Sequence, residues 1–157
     1  MGGKEGDMAA KKLREGVSER LDALAAELLA DGLDRVAEGA AVNVLLAVED
    51  GAGSVASFEF ADDGPEQCLE AGRACVRRLA REQGDAEARL GRPVRYALCY
   101  EGAVADEDGA FQDALILEFG ERGYRSYSGY SLFEGRGTGD GLAWTDPAPA
   151  GELEPLL

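Results

Sequence analysis

The residues best suited to binding or catalysis lie in one short stretch in the C-terminal third of the sequence. Over 124–131, Tyr124, Tyr127 and Tyr130 alternate with three serines and a glycine. A tyrosine joins an apolar ring to a polar hydroxyl, a combination enriched at protein interfaces and in ligand clefts. The same side chain also suits cross-strand packing within a sheet. The three tyrosines are therefore candidates for an interaction or ligand surface, with cross-strand packing as the open alternative.

The absence of histidine removes most catalytic uses of such a strand. The chain has 157 residues, 31 of them acidic and 16 basic, and no histidine. Ser-His and Cys-His pairs, the HExxH zinc site and an imidazole pH switch are all excluded. The only lysines, Lys4, Lys11 and Lys12, lie far from the serines that they would have to activate. We predict no catalytic residues, no cofactor and no metal site, and an enzyme is the less favoured class.

Carboxylates could act without histidine, and Asp113 is the most informative of them. Asp113 alternates with Phe111 and Leu115, which predicts that it faces the core. We expect it to pair with an arginine or a tyrosine hydroxyl, or to turn outward at a bulge. The acidic cluster over 106–108 lacks the spacing of a calcium loop, so a solvated hairpin tip is favoured over a cation site.

Arginines concentrate where the rest of the sequence is acidic. Residues 73–95 hold seven arginines and three acids, whereas 101–157 hold three arginines and twelve acids. The helical spacing of Arg73, Arg77, Arg78 and Arg81 places most of them on the exposed side of one helix. They form either a docking patch for an acidic partner or phosphate, or, as we favour, a solvated helix face.

The glycine-rich segment 135–141 alternates glycine with polar residues, as phosphate-binding loops do. No helix pattern follows it and it has no lysine, so a flexible turn is the favoured interpretation.

The three cysteines, Cys68, Cys75 and Cys99, are predicted to be buried packing residues. The first two lie about 10 Å apart along one helix, too far for a disulfide. Three unpaired thiols favour a reducing cytoplasm, and no secretory signal is visible.

The net charge of −15 argues against nucleic acid and anionic membrane surfaces as partners. The longest apolar runs are also far shorter than the roughly 20 residues that span a bilayer.

Apolar periodicity predicts the elements that position these residues. Leu13, Val17, Leu21, Leu24 and Leu28 predict a helix over Asp7–Ala30, with a break at Asp31-Gly32 and one or two more turns before Gly39. Alternation then predicts a strand over 42–48 and a second strand carrying Ala56, Phe58 and Phe60.

A second helix follows, and after it a run of strands. An Asp62-Asp63 cap with Pro65 in the first turn starts the helix, which runs to Gly84 with Gly72 against the sheet. Three antiparallel strands follow over 94–101, 111–119 and 124–134. The tail over 135–157 is expected to run across the surface, pinned by Leu142 and Trp144.

These elements predict a single α+β domain over 1–157, with a flexible N-terminus over 1–6. Its five-stranded antiparallel sheet carries two main helices in the order α-β-β-α-β-β-β. That order resembles the longin and roadblock group of profilin-like domains, which implies scaffolding and dimerisation. Small acidic secretion chaperones are also similar in size and charge.

The sequence predicts a small acidic, non-enzymatic protein-interaction or scaffolding module. Its partner would be another protein or a second copy of the chain in a homodimer. The alternative is a small-molecule-binding or hydrolytic pocket built from Tyr127, Tyr130, Asp113 and the glycine-rich segment.

Overall fold

The computed structural model describes residues 13–157, which form two helices and seven strands. In chain order the elements are α1 (Glu19–Ala37), β1 (Val44–Asp50), β2 (Val55–Phe60), α2 (Pro65–Arg81), β3 (Pro93–Ala105), β4 (Phe111–Glu121), β5 (Ser126–Glu134), β6 (Ala143–Trp144) and β7 (Ala148–Leu153). The predicted α+β class and the order of the first seven elements are confirmed. The predicted count of five strands is wrong, because the tail contributes two more.

All hydrogen-bonded neighbours in the sheet are antiparallel, in the order β2-β1-β3-β4-β5. β6 and β7 both pair with the outer side of β5. Since β2 and β3 flank β1, the connection between them crosses β1, and α2 lies on that crossing.

The tail is part of the sheet rather than a loose surface segment. Ser126 pairs with Leu153 at one end of β5, and Phe133 pairs with Trp144 at the other. An open β5 edge would expose a row of unpaired backbone groups, and the two tail strands satisfy it. Leu142 is buried as predicted, but Trp144 is 56% exposed and does not pin the tail.

The first helix begins much later than its apolar spacing predicts. Ser18 caps α1, its Oγ accepting a hydrogen bond from the Leu21 N–H at 3.1 Å. Gly16 has φ +93°, a left-handed conformation that breaks any helix running through it. Leu13 and Val17 therefore lie outside the helix. The predicted helical residues 7–12 and the flexible N-terminus over 1–6 lie outside the described residues.

The predicted break at Asp31-Gly32 is also wrong, because α1 continues to Ala37. Gly32 faces the sheet, where a Cβ atom would lie 3.0 Å from Leu115 Cδ1. Gly72 of α2 faces the sheet as predicted, and a Cβ there would lie 2.9 Å from Leu98 Cδ2. Both glycines thus allow a helix backbone to lie close to the sheet.

The start of α2 differs from the prediction in its cap. Pro65 occupies the first turn as expected, but Gly64 is the N-cap and no side chain caps the helix. The helix ends at Arg81, three residues before the predicted end at Gly84.

The two helices pack on opposite faces of the sheet. Leu45 and Ala47 of β1 join the α1 core, whereas Val44, Leu46 and Val48 join the α2 core. All three cysteines are buried and unpaired, as predicted: Cys99 lies under α1, and Cys68 and Cys75 lie on the buried face of α2. Burial raises the pKa of Cys99 to about 12. Neither helix in the described part of the chain is long and apolar enough to cross a membrane.

Candidate functional site: an apolar groove at Tyr127

The late start of α1 leaves one corner of the sheet uncovered, and a groove of about 670 Å³ lies there. Leu117 and Phe119 of β4 and Tyr127 and Gly129 of β5 line it. Residues 15–17, before α1, line it as well, and so do residues 147–149, 151 and 152 of the tail. We call this concavity the Tyr127 groove, with the two strands as its floor and the two segments as its walls.

Tyr127 connects the floor of the groove to its first wall. Its hydroxyl oxygen accepts a hydrogen bond from the Gly16 N–H at 2.9 Å. Its ring lies 6.4 Å from that of Phe119 in a tilted arrangement, within the range of attractive aromatic pairs. Tyr127 is the one residue of the predicted tyrosine surface that lines this groove.

The first wall is held in place by backbone hydrogen bonds to the turn between β4 and β5. The Arg14 N–H donates to the Gly123 carbonyl at 3.0 Å, and the Arg125 N–H donates to the Arg14 carbonyl at 2.8 Å. Residues 14–17 therefore run across the corner of the sheet in a fixed path.

The second wall is apolar and lies close to the floor. Pro147 precedes β7, Ala148 and Pro149 begin it, and all three line the groove. The register between β5 and β7 shifts at Ser128/Gly129, and a Cβ on Gly129 would lie 3.0 Å from the Ala148 carbonyl oxygen. Gly129 thus allows the tail backbone to approach β5.

Charged side chains mark the end of the groove. Arg125 lies between the carboxylates of Glu152, at 2.9 Å, and Glu15, at 3.8 Å. The hydrogen bond that Arg125 donates to Glu152 is the main cause that raises the pKa of Arg125. One guanidinium faces two carboxylates, so this rim is acidic on balance.

The start of α1 is anchored by a buried ion-pair network that sequence reasoning missed. Arg95, only 7% exposed, pairs with Glu49 on one side and with Glu121 at 3.2 Å on the other. The Ser18 hydroxyl, which caps α1, donates to Glu121 at 2.6 Å. These charges lie on β1, β3 and β4, so only the strand order, which the sequence did not reveal, brings them together. The network therefore fixes the position of Ser18, where α1 begins, and the groove lies before that point.

The other two candidate tyrosines lie elsewhere. Tyr124 is in the turn before β5, where the Arg14 guanidinium stacks over its ring at 5.8 Å. Tyr130 pairs with Ile116 and faces the opposite side of the sheet from Tyr127. The structure therefore does not bring Tyr127, Tyr130, Asp113 and the glycine-rich segment into one pocket.

Asp113 is exposed, neither paired nor turned outward by a bulge. The β3–β4 register is regular from Phe111 to Glu121, and within residues 13–157 no hydrogen bond or ion pair engages the Asp113 carboxylate. The pairing of β4 with β5 stops at Ala114, and Phe133 and Glu134 of β5 pair with β6 instead, so Asp113 lies just past the paired part of β4. Asp106, in the turn of the same hairpin, accepts hydrogen bonds from the backbone N–H groups of Asp108 and Ala110.

The arginines of α2 are largely neutralised by carboxylates. Arg73 makes two hydrogen bonds to the buried Glu118, at 3.0 and 2.6 Å, and Glu118 also accepts from the Tyr100 hydroxyl at 2.6 Å. Arg77 pairs with Glu70 and Arg78 with Glu82, while Arg81 is exposed. Arg73 and Arg77 also line a smaller cavity of about 210 Å³ beside the end of the tail.

The glycine-rich segment caps the end of α1 instead of forming a free flexible turn. The Gly137 N–H donates to the Val36 carbonyl at 2.9 Å, and the Arg136 guanidinium donates to the Ala40 carbonyl at 2.7 Å. The Gly137 N–H and the Arg136 guanidinium are therefore already engaged in hydrogen bonds within the fold.

Comparisons with protein-family models, with curated proteins and with solved structures find no match for this chain. The geometry and charge of the Tyr127 groove therefore carry the functional conclusion.

Proposed function

We propose that the protein is a small acidic interaction module that holds an apolar side chain of a basic segment of a partner protein in the Tyr127 groove. The observation that carries the proposal is an apolar concavity of about 670 Å³ with an acidic rim. This function falls in the class that the sequence predicts.

The apolar lining supports a partner that contributes hydrophobic side chains. Val17 is 43% exposed at the wall, and Phe119 on the floor is only partly covered. Burial of such surface contributes about 25 cal/mol per Å². Interfaces also concentrate their binding energy in a few aromatic and aliphatic residues that fill pockets.

The charge supports a basic partner. Glu15 and Glu152 at the rim, and the net charge of −15, attract Lys and Arg beside the apolar anchor and repel phosphate. Such attraction accelerates association and weakens as salt is added. Peptide binding that decreases with ionic strength is therefore expected.

Binding of a small apolar molecule is the second candidate function. The groove volume falls within the roughly 300–1,000 Å³ of small-molecule sites, and the Tyr127 hydroxyl offers a polar contact. The shape favours a peptide, because the two walls lie on either side of the strand floor and leave the groove open to solvent.

Selection from a random peptide library against the purified full chain tests the proposal. We expect enriched peptides that combine an aromatic or aliphatic residue with flanking Lys or Arg. Val17→Asp should abolish their binding, because it places a charge in the apolar wall. Phe111→Asp is the control, because Phe111 is 76% exposed at the start of β4 and does not line the groove.

Peptides whose binding survives Val17→Asp, or enrichment of acidic sequences, would overturn the proposal. Nile red serves as the neutral apolar probe for the alternative function. Dye binding that Val17→Asp removes, with no peptide enriched, would favour the small-molecule function instead.

A further inference from the structure

The β2 edge of the sheet presents unpaired backbone groups to solvent. The β1–β2 hairpin closes with the Asp50 N–H donating to the Ser54 carbonyl at 3.0 Å. Hydrogen-bonded pairs recur at every second residue of an antiparallel ladder, so Ala56, Phe58 and Phe60 bond to β1. The backbone groups of the residues between them point outward, and no described residue of the chain pairs with them. These outward residues are Val55, Ser57 and Glu59.

The two edges of the sheet differ in how they are protected. The β7 edge carries Pro147 at its approach, Pro149 within the strand and a register shift against β5, all of which discourage pairing with another chain. β2 has no proline, lysine or arginine and keeps a regular register with β1. Its single charge, Glu59, is paired with Arg35 at 3.0 Å and also accepts from Asn43.

We infer that β2 is the interface for a second copy of this chain, in which two β2 strands pair antiparallel about a two-fold axis through Ser57. In this register Ser57 faces Ser57 of the second copy, and Val55 faces Glu59 of the second copy. All three outward residues of each strand then face outward residues, giving about six hydrogen bonds. Shifting the pairing by two residues leaves only two such pairs.

The self-paired register also suits the side chains and the symmetry. The centred pairing keeps the two Glu59 carboxylates apart, since each lies opposite a valine. On the α2 face it sets Phe58, which is only partly covered, beside Ala56 of the second copy. A two-fold contact between identical strands is closed, so it stops at a dimer rather than growing into a fibre.

The overall charge of the chain opposes association, which gives the dimer a characteristic salt dependence. Two copies at −15 repel each other, yet residues 54–61 contain only one charged side chain. At about 0.15 M salt the Debye length is about 8 Å, so repulsion from distant charges is screened there. We expect the dimer to strengthen as NaCl is added, whereas peptide binding in the Tyr127 groove should weaken.

Disulfide trapping of the full chain tests the register. In Ser57→Cys, the two introduced thiols face each other with Cα atoms about 5.5 Å apart, a distance that a disulfide spans. In the matched control Val55→Cys, the same pairing separates the thiols by about four residues, or about 14 Å. The three native cysteines are buried and should not take part. We expect a covalent dimer from Ser57→Cys and none from Val55→Cys.

Sedimentation velocity of the unmodified chain at low and high NaCl provides the second measurement. We expect a shift from monomer to dimer with salt, and loss of the dimer in Ser57→Lys, which sets two lysines against each other. Val55→Lys should retain the dimer, because the new lysine lies opposite Glu59 of the second copy. A monomer at all salt concentrations, a dimer that survives Ser57→Lys, or equal cross-linking of both cysteine variants would overturn the inference.

Discussion

Replacing Arg73 with methionine should destabilise the fold far more than the same change at Arg78 on the same helix. Arg73 makes two hydrogen bonds to Glu118, whose side chain is only 4% exposed. Without Arg73 the carboxylate keeps only Tyr100 as a partner, and leaving such a charge buried costs about 3–5 kcal/mol. Because the Arg73 side chain is itself 31% exposed, water can enter the space that it leaves. We expect a loss of about 3 kcal/mol, at the lower end of that range.

Three companion variants separate the ion pair from other effects. Arg78→Met breaks a surface pair whose side chains are 43% and 58% exposed, so it should cost less than about 1 kcal/mol. Glu118→Gln keeps an acceptor for Tyr100 and should cost about 1 kcal/mol. The double variant Arg73→Met/Glu118→Gln should lose only about 1.5 kcal/mol, because no orphaned charge remains.

The assay is urea unfolding monitored by far-UV circular dichroism. Free energies of unfolding are compared between variants that have the same m-value, the slope of that free energy against urea concentration. The singles should sum to about 4 kcal/mol, so the double variant reveals a coupling of about 2–3 kcal/mol. An Arg73→Met variant as stable as Arg78→Met, or a double variant that is simply additive, would refute the view of Glu118 as a buried charge that depends on Arg73.

Four further predictions rest on single features of the fold. Gly72→Ala should cost about 1 kcal/mol in urea unfolding despite its better helix propensity, because the new methyl group meets Leu98 Cδ2 at 2.9 Å; a gain in stability would contradict the close packing. Three other groups give pH- and reagent-dependent tests. Backbone hydrogen bonds, the strongest from the N–H of residue 91, lower the pKa of Asp50, so its contribution is present above about pH 4 and is lost as the pH falls. Asp50→Asn should be destabilising at neutral pH, with the difference from the unmodified chain closing in acid unfolding curves. Burial raises the pKa of Tyr96 to about 12, so stability should fall from about pH 10 to pH 12, with the Tyr96 tyrosinate absorbance, measured by difference from Tyr96→Phe, increasing as the protein unfolds; ionisation of Tyr96 within a folded chain would contradict this. The native thiols, Cys99 above all, should react with a thiol reagent only slowly until denaturant is added.

Local signals predicted much of the fold. The change from helical to alternating spacing after Gly39 gave the β1–β2 hairpin, and Pro65 marked the first turn of α2. The absence of a side chain at Gly72, on the apolar side of its helix, correctly predicted close packing on the sheet. Each of these signals depends on neighbouring residues alone, and so it can be read from one sequence.

Features that depend on distant parts of the chain were not predictable. Val17 continues the apolar spacing of α1, yet Gly16 and the Ser18 cap start the helix later, so spacing alone gave the wrong boundary. Asp113 keeps the alternation of a core strand, but it lies one residue past the point where β4 stops pairing with β5. Whether an alternating position is buried depends on how far its strand stays paired with the neighbouring strand, which the local pattern does not contain.

The tail explains why the sequence identified a residue of the candidate site but not the site itself. Its two strands are short and lie in a segment rich in glycine and proline, which locally favours a loop. They become strands because β5 offers an unpaired edge, and in doing so they supply one wall of the Tyr127 groove. Tyr127 could be selected for its chemistry, whereas the groove requires walls from opposite ends of the described chain.

The two proposed surfaces lie at opposite edges of the sheet. β7 closes one edge and shapes the groove, while β2 leaves the other edge available to a second copy. A dimer through β2 would form one continuous sheet with a Tyr127 groove near each far end, and neither groove would be covered by the contact. Two grooves on one rigid body favour a partner that carries its basic, apolar segment twice, because the second binding event becomes intramolecular. Salt would then act in opposite directions on the two surfaces, strengthening the dimer through screening of like charges while weakening each groove contact.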